Sequence, residues 1–449
     1  MTPSTLAPVQ AQDRISSVDA LRGFALCGIL LMNIVGFGLF MSAYDDPTTA
    51  GGATGLNLWT WAVLHVLAEG KMRCIFSLVF GASMILLTSR GEGGGVRIAD
   101  IYYRRLFWLM VIGVAHAYLL WQGEILYPYA VCGLLLFPLR KLSPKILLIA
   151  AGVMILVISG ANIYSGFDTI KTSKLAAEAK DLEKQGKKLT DEQVEAKKSW
   201  EETLKHSKPT KEEIDKDAKA WQSGFAGSLK QRAKLVSRWH AVPYYHFWNF
   251  DIWSMMFIGM ALMKLGILNA SWSWKFYGWT AALGYAIGIT VNSVTAVNII
   301  NSNFDLAVRA FNGCVYDLGR LTVAMAHISV LLMLCKGGVM NWLTSRLAAA
   351  GQMAFTNYLM QSVICSTLVC GYGFGLYGKL ERYQLYYIVA GVWVVELIWS
   401  PIWLAHFRFG PAEWAWRSLT YWKRQPFRIR QTEPVGVGVG TDTLLPAAE

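Results

Sequence analysis

The residues best placed to do chemistry lie in the stretch Gly113-Val114-Ala115-His116-Ala117-Tyr118-Leu119-Leu120-Trp121-Gln122-Gly123-Glu124. His116 falls inside an apolar run, and Glu124 follows across a short turn. Such a turn folds its flanking segments back on each other, so both side chains can enter one cavity. A neutral imidazole beside a carboxylate is held in one tautomer and becomes a better general base. Structural hydrogen bonding is the competing reading, and metal binding is the weakest because no ligand set accompanies the histidine.

Other charged groups fall where lipid makes them expensive. Lys71 and Arg73 flank an apolar run, and a fixed cation there could stabilise a developing oxyanion. Their plainer role is snorkelling to an interface. Arg104 and Arg105 are adjacent, and guanidinium groups bind phosphate bidentately. Asp19 and Arg22 are spaced to share one helix face and pair, either as a structural ion pair or as part of an anion site. Asn33, Asn357 and Gln361 suit hydrogen bonds between helices, and His240, His246 and Asp251 cluster more weakly.

These residues need elements that cross a bilayer. Of 449 residues, 54% are hydrophobic and 16% charged, against roughly 25% charged in an ordinary soluble domain. The expected fold class is therefore an all-α polytopic transmembrane helix bundle of about ten spans, each of about 20 residues. The spans fall near 18–40, 73–89, 104–121, 125–139, 145–164, 247–266, 275–299, 318–335, 348–371 and 384–406. The chain divides into a tail 1–17, an N-terminal membrane bundle 18–167, a soluble helical insertion 168–238, a C-terminal membrane bundle 239–430 and a disordered tail 431–449. The net charge of +12 is no sign of nucleic acid, because much of it lies beside the spans. The seven cysteines have neither metal-ligand nor disulfide-dense spacing. Walker, zinc-protease and GlyXSerXGly signatures are absent.

Lys and Arg in short connectors concentrate on the side holding both chain ends, which makes that side cytoplasmic. The expected location is the inner, or plasma, membrane. The Lys/Glu-rich insertion is then extracytoplasmic, since long loops cross regardless of charge. Thr190 with Gln193, and Thr210 with Glu213, predict capping boxes within it.

Several of these stretches resemble YeiB-like bacterial membrane proteins. They are Val18-Asp19-Ala20-Leu21-Arg22-Gly23-Phe24, Phe76-Ser77-Leu78-Val79-Phe80-Gly81 and the run from His116 to Leu126. In the C-terminal third, Gly351-Gln352-Met353-Ala354-Phe355-Thr356-Asn357-Tyr358 and Phe407-Arg408-Phe409-Gly410-Pro411-Ala412-Glu413-Trp414 resemble that family's domain of unknown function 418. The opening is more distantly similar to transmembrane acyltransferases, including the lysosomal heparan glucosaminide acetyltransferase. That wider resemblance implies a cytoplasmic acyl-CoA-type donor as co-substrate and an extracytoplasmic glycan or lipid acceptor, with no tightly bound cofactor. It rests on Asp19, Arg22 and Asn33. The lysosomal enzyme's catalytic histidine follows its first matching helix, whereas residues 41–57 here contain no histidine and His65 lies beyond.

The resulting expectation is a membrane acyltransferase. Arg22, Arg104 and Arg105 would hold donor phosphates. His116, oriented by Glu124, would act as base, and Lys71 or Arg73 would face the oxyanion. A transporter of a small or lipidic anion, or a non-catalytic scaffold, is the alternative. The sequence sets no oligomeric state.

Overall fold

The computed structural model describes residues 15–89, 96–241 and 243–429. The start of the N-terminal tail, the tail 431–449 and the side chains of His240 and His246 lie outside what it describes. The described chain is helical, with no strand. In order it forms α1 (Ser16–Gly38), α2 (Gly55–Leu67), α3 (Lys71–Ser89), α4 (Val96–Leu119), α5 (Leu126–Leu134) and α6 (Leu136–Leu139). Next come α7 (Pro144–Lys184), α8 (Asp191–Ser207), α9 (Lys211–Gln222), α10 (Phe225–Ala241), α11 (Pro243–Lys264) and α12 (Trp274–Asn301). The chain closes with α13 (Leu306–Asn312), α14 (Tyr316–Gly337), α15 (Asn341–Gln352), α16 (Ala354–Val369), α17 (Arg382–His406) and α18 (Pro411–Tyr421).

Among the described residues, six segments are long and apolar enough to cross a membrane. This is a multi-pass membrane protein. Hydrocarbon leaves no partner for a free backbone amide, so apolar runs of this length fold as helices. Burial separates their places. The apolar stretch of α1 is 72% buried in protein, whereas that of α7 is 17% buried and turns Ile149, Val153, Leu156 and Val157 outward. α1 is thus a central helix and α7 a lipid-facing one.

Missing side chains let the central helices touch. A Cβ on Gly23 would overlap the Leu347 carbonyl of α15, and one on Gly351 would overlap the Asp19 carbonyl of α1. Gly81 of α3 and Gly259 of α11 are reciprocal in the same way, against Met256 and Leu78. Small residues at helix crossings replace the hydrophobic drive that lipid removes.

The bundle has two distinct ends. At the basic end, Ser17 donates to the Leu268 carbonyl, Lys264 to Leu142, Lys336 to Trp272, and the Trp416 indole to Arg105. At the other end the Gly378 amide donates to Gly38 and the Arg382 amide to Gly51. The insertion docks there.

The expected boundary at residue 168 falls inside α7, which runs unbroken for 41 residues, about 62 Å, against a hydrocarbon core of about 30 Å. Its outer half keeps helix-forming Lys, Ala and Glu, so nothing stops the helix at the lipid boundary. Both expected capping boxes form, at Thr190 and at Thr210.

Candidate functional site

Two cavities occupy opposite ends of the bundle. The first, about 460 Å³, opens at the basic end between α1, α3, α4, α16 and α18. Its walls are apolar, with Val79, Phe80, Leu87, Leu106, Leu109 and Phe355. Its charged lining is Asp19, Arg22, Arg105, Glu413 and Arg417. Arg22 pairs with Asp19 at 2.5 Å and donates to Ser83 Oγ at 2.9 Å. Arg105 makes no ion pair among the described residues, and its guanidinium lies 4.0 Å over the Trp416 ring. Arg417 lies 4.6 Å over Phe409. Stacking on Trp416 leaves the edges of the Arg105 guanidinium able to take an anion.

One wall is a broken helix. α15 ends at Gln352 and α16 begins at Ala354, so the amides of the first turn of α16 need acceptors. Glu413 of α18 supplies them, accepting from Phe355 N at 2.7 Å, Thr356 N at 3.1 Å and Thr356 Oγ1 at 2.5 Å. Asn357 bridges the break, donating to the Ala350 carbonyl and to Ser400 Oγ on α17. Gln361 donates to Glu396 at 3.2 Å. Asn357 and Gln361 therefore join helices, while Asn33 is half-buried and lines neither cavity.

His116 sits behind the inner end of this cavity. Its ring lies 5.1 Å from that of Tyr358, which lines the void. Its Nε2 hydrogen-bonds Ser362 Oγ at 2.8 Å, and its buried Nδ1 has no partner among the described residues. Glu124 does not orient it. Its carboxylate accepts from the Leu126 amide and from Tyr127 N at 2.9 Å, capping α5. Unmet amides at a helix start attract the nearest carboxylate, which sequence proximity to a histidine could not reveal.

The other expected residues lie elsewhere. Arg104 turns away from the cavity and pairs with Asp100 at 2.6 Å. Lys71 is fully buried and donates to the His65 carbonyl at 2.6 Å. Arg73 joins an ion network in which Asp251 accepts from both Arg73 and Arg320. Arg320 also reaches Asp317 at 2.8 Å, and Ser159 donates to Asp317 at 2.7 Å. Neither Lys71 nor Arg73 lines either of these two cavities. Sequence reading passed over Asp317 and Arg320 as site residues, although they repeat the Asp-x-x-Arg spacing of Asp19 and Arg22. It also gave no role to Glu396, although an acid inside an apolar run is itself a signal.

The second cavity, about 990 Å³, lies under the insertion. The loop after α1 contributes Tyr44 and Asp45, α2 contributes Trp61 and His65, and α13 contributes Arg309 and Asn312. Arg382 and Tyr386 of α17 complete the floor, and Lys205, Asp217, Lys234 and Arg238 of the insertion form the roof. The roof is fastened to the bundle. Arg232 donates to the Leu119 carbonyl at 2.8 Å, and the Gly371 amide to Trp221 at 2.9 Å. Asp217 accepts from Tyr377 Oη and from Gln231, each at 2.6 Å. Burial raises the Asp217 carboxyl above the usual range, although both donors pull it down.

Polar groups run between the two voids. Tyr129, lining the first, bonds Ser77 at 2.5 Å, and Ser77 donates to the Arg73 carbonyl. Arg73 leads through Asp251 to Arg320, whose guanidinium stands 5.2 Å from the ring of Tyr316. Tyr316 lines the second void and donates to Glu69 at 3.1 Å. Among the described residues, no cluster of His, Cys, Asp or Glu suits a metal ion.

Comparison with known proteins finds relatives that align over nearly the whole chain. A family model described as a protein of unknown function (DUF418) matches residues 262–423. The chain is 30% identical to the uncharacterized protein YeiB of Escherichia coli (strain K12), over 91% of this chain and 96% of that protein. It is 29% identical to the uncharacterized protein YxaH of Bacillus subtilis (strain 168), over 94% of this chain and 98% of that one. No solved structure matches.

Proposed function

The chain belongs to the family of YeiB-like membrane proteins, and from that premise we propose that it is a membrane-embedded acyltransferase. In this reading the basic end faces the cytoplasm of a bacterial inner membrane, the chain crosses about ten times, and the insertion stands outside. The observation that carries the reading is the first cavity, which combines apolar walls with Arg22, Arg105 and Arg417 at its basic end. An acyl-CoA-type donor has that same division into phosphates and a long arm. A void of 460 Å³ suits the acyl chain and arm, with the nucleotide left in solvent.

His116 is the base. It takes the proton of an acceptor hydroxyl as that oxygen bonds to the thioester carbonyl carbon. The carbon–sulfur bond then breaks, and the leaving thiolate receives the proton from His116. Ser362, in place of Glu124, fixes the ring. Tyr358 stands between His116 and the void, so donor binding must turn it aside. The acceptor, a glycan or lipid, arrives from the insertion end.

A second reading, transport of a small or lipidic anion, is favoured by the break between α15 and α16, since broken helices mark many transporter sites. Proteoliposomes separate the two. Acyl transfer predicts movement of radiolabelled acyl groups from acyl-CoA to a lipid or glycan fraction, reduced at least about 100-fold in His116→Ala. Vectorial movement of intact anion without transfer would establish the transport reading instead.

A further inference from the structure

The cavity beneath the insertion holds three buried hydrogen-bond donors for which no acceptor lies among the described residues. They are Arg309 Nε, Arg382 Nε and Asn312 Nδ2. Arg382 is 2% exposed and Asn312 9% exposed, so solvent satisfies neither well. An unmet buried donor costs about 1–3 kcal/mol, more when charged, and three lining one void point to a ligand rich in acceptors.

The lining charges agree. Arg309 and Arg382 sit in the floor, and Lys205, Lys216, Lys234 and Arg238 project from the roof as exposed side chains. Four acids also line the void, but three already have partners. Glu69 accepts from Tyr316, Glu213 caps α9, and Asp217 accepts from Tyr377 and Gln231. Asp45 is the remaining acid, and among the described residues it forms no ion pair with Arg309 or Arg382. The uncommitted surface is therefore cationic and donor-rich, with Tyr44, Trp61 and Tyr386 supplying flat faces.

We propose that this cavity binds a phosphate ester, with Arg309, Arg382 and Asn312 donating to its oxygens and the roof cations drawing it in. Guanidinium and amide donors match a tetrahedral oxyanion, and the volume of 990 Å³ admits a whole headgroup. The ester can come from a lipid or from a soluble molecule, and the chemistry recognised is the same. In the acyl-transfer reading this is the acceptor's docking site, so the inference deepens that reading. Binding is measured without turnover, so each can fail separately.

The test is calorimetric titration of the full chain, purified lipid-free in detergent with chloride buffer. One arm uses glycerol 3-phosphate and the other short-chain phosphatidylglycerol. At least one ester binds the wild type, and the responding arm identifies the source. Arg309→Gln and Asn312→Leu each weaken that binding about tenfold or more, Arg309→Lys restores part of it, and Asp45→Asn tightens it. Arg104→Gln, which lines neither cavity, leaves it unchanged. Thermal unfolding of each variant verifies the fold. No binding by either ester to folded wild type, or equal binding by folded Arg309→Gln and Asn312→Leu, overturns the proposal.

Discussion

The two cavities are built by opposite means. The basic-end void is small and apolar, and its wall helices α1 and α15 meet through reciprocal glycines. The void under the insertion is about twice as large and lined by more charged side chains, and Tyr316 on its floor rests against the buried ion network of Arg320, Asp251 and Asp317. Close helix contact gives a rigid slot for a chain-like group. An ion network with a fastened roof gives a wide chamber for a polar one. Under the acyl-transfer proposal, the first void takes a long apolar arm and the second a hydrated group.

Disturbing each half should have different consequences. The largest effect is expected from Gly351→Val, because the new side chain would meet the backbone of α1 with no flexible neighbour to yield. Folded protein should fall severalfold in detergent-extracted membranes, measured by fluorescence-detected size exclusion. Near-normal yield would show that the close contact at α1 and α15 is dispensable. Next is Arg320→Ala, which leaves Asp317 in the interior without a cation and Asp251 with Arg73 alone. A loss of about 3–5 kcal/mol is expected, read as a depressed thermal midpoint. Loss confined to phosphate-ester binding, with an unchanged midpoint, would make the network part of the chamber instead of its support. The smallest is Thr210→Ala, which removes a capping box at the roof and should cost about 1 kcal/mol. Hydrogen exchange should rise in α9 alone, while a spread into α17 would mean that the roof and the bundle unfold together.

Legibility in the sequence followed the range of the forces. Apolar helices, capping boxes and the Asp19–Arg22 pair depend on neighbours in the chain, and periodicity and spacing predict them. The break at Met353 was not legible, because its cap comes from Glu413 on another helix. Arg104 and Arg105 look equivalent in sequence, but consecutive helical positions face different directions, and Arg105 alone reaches the void. Glu124 is near His116 in sequence and serves α5. Arg309, Asn312 and Arg382 come from distant segments, so only the folded chain reveals that their donors share a chamber.

The slot at the basic end is tested most directly by titrating purified protein in nanodiscs with a non-hydrolysable acyl-CoA analogue. A donor slot there predicts saturable binding to the wild type, with affinity lowered about tenfold in Arg105→Gln and unchanged in Arg104→Gln. Equal affinity in wild type and Arg105→Gln, or greater loss in Arg104→Gln, would contradict it.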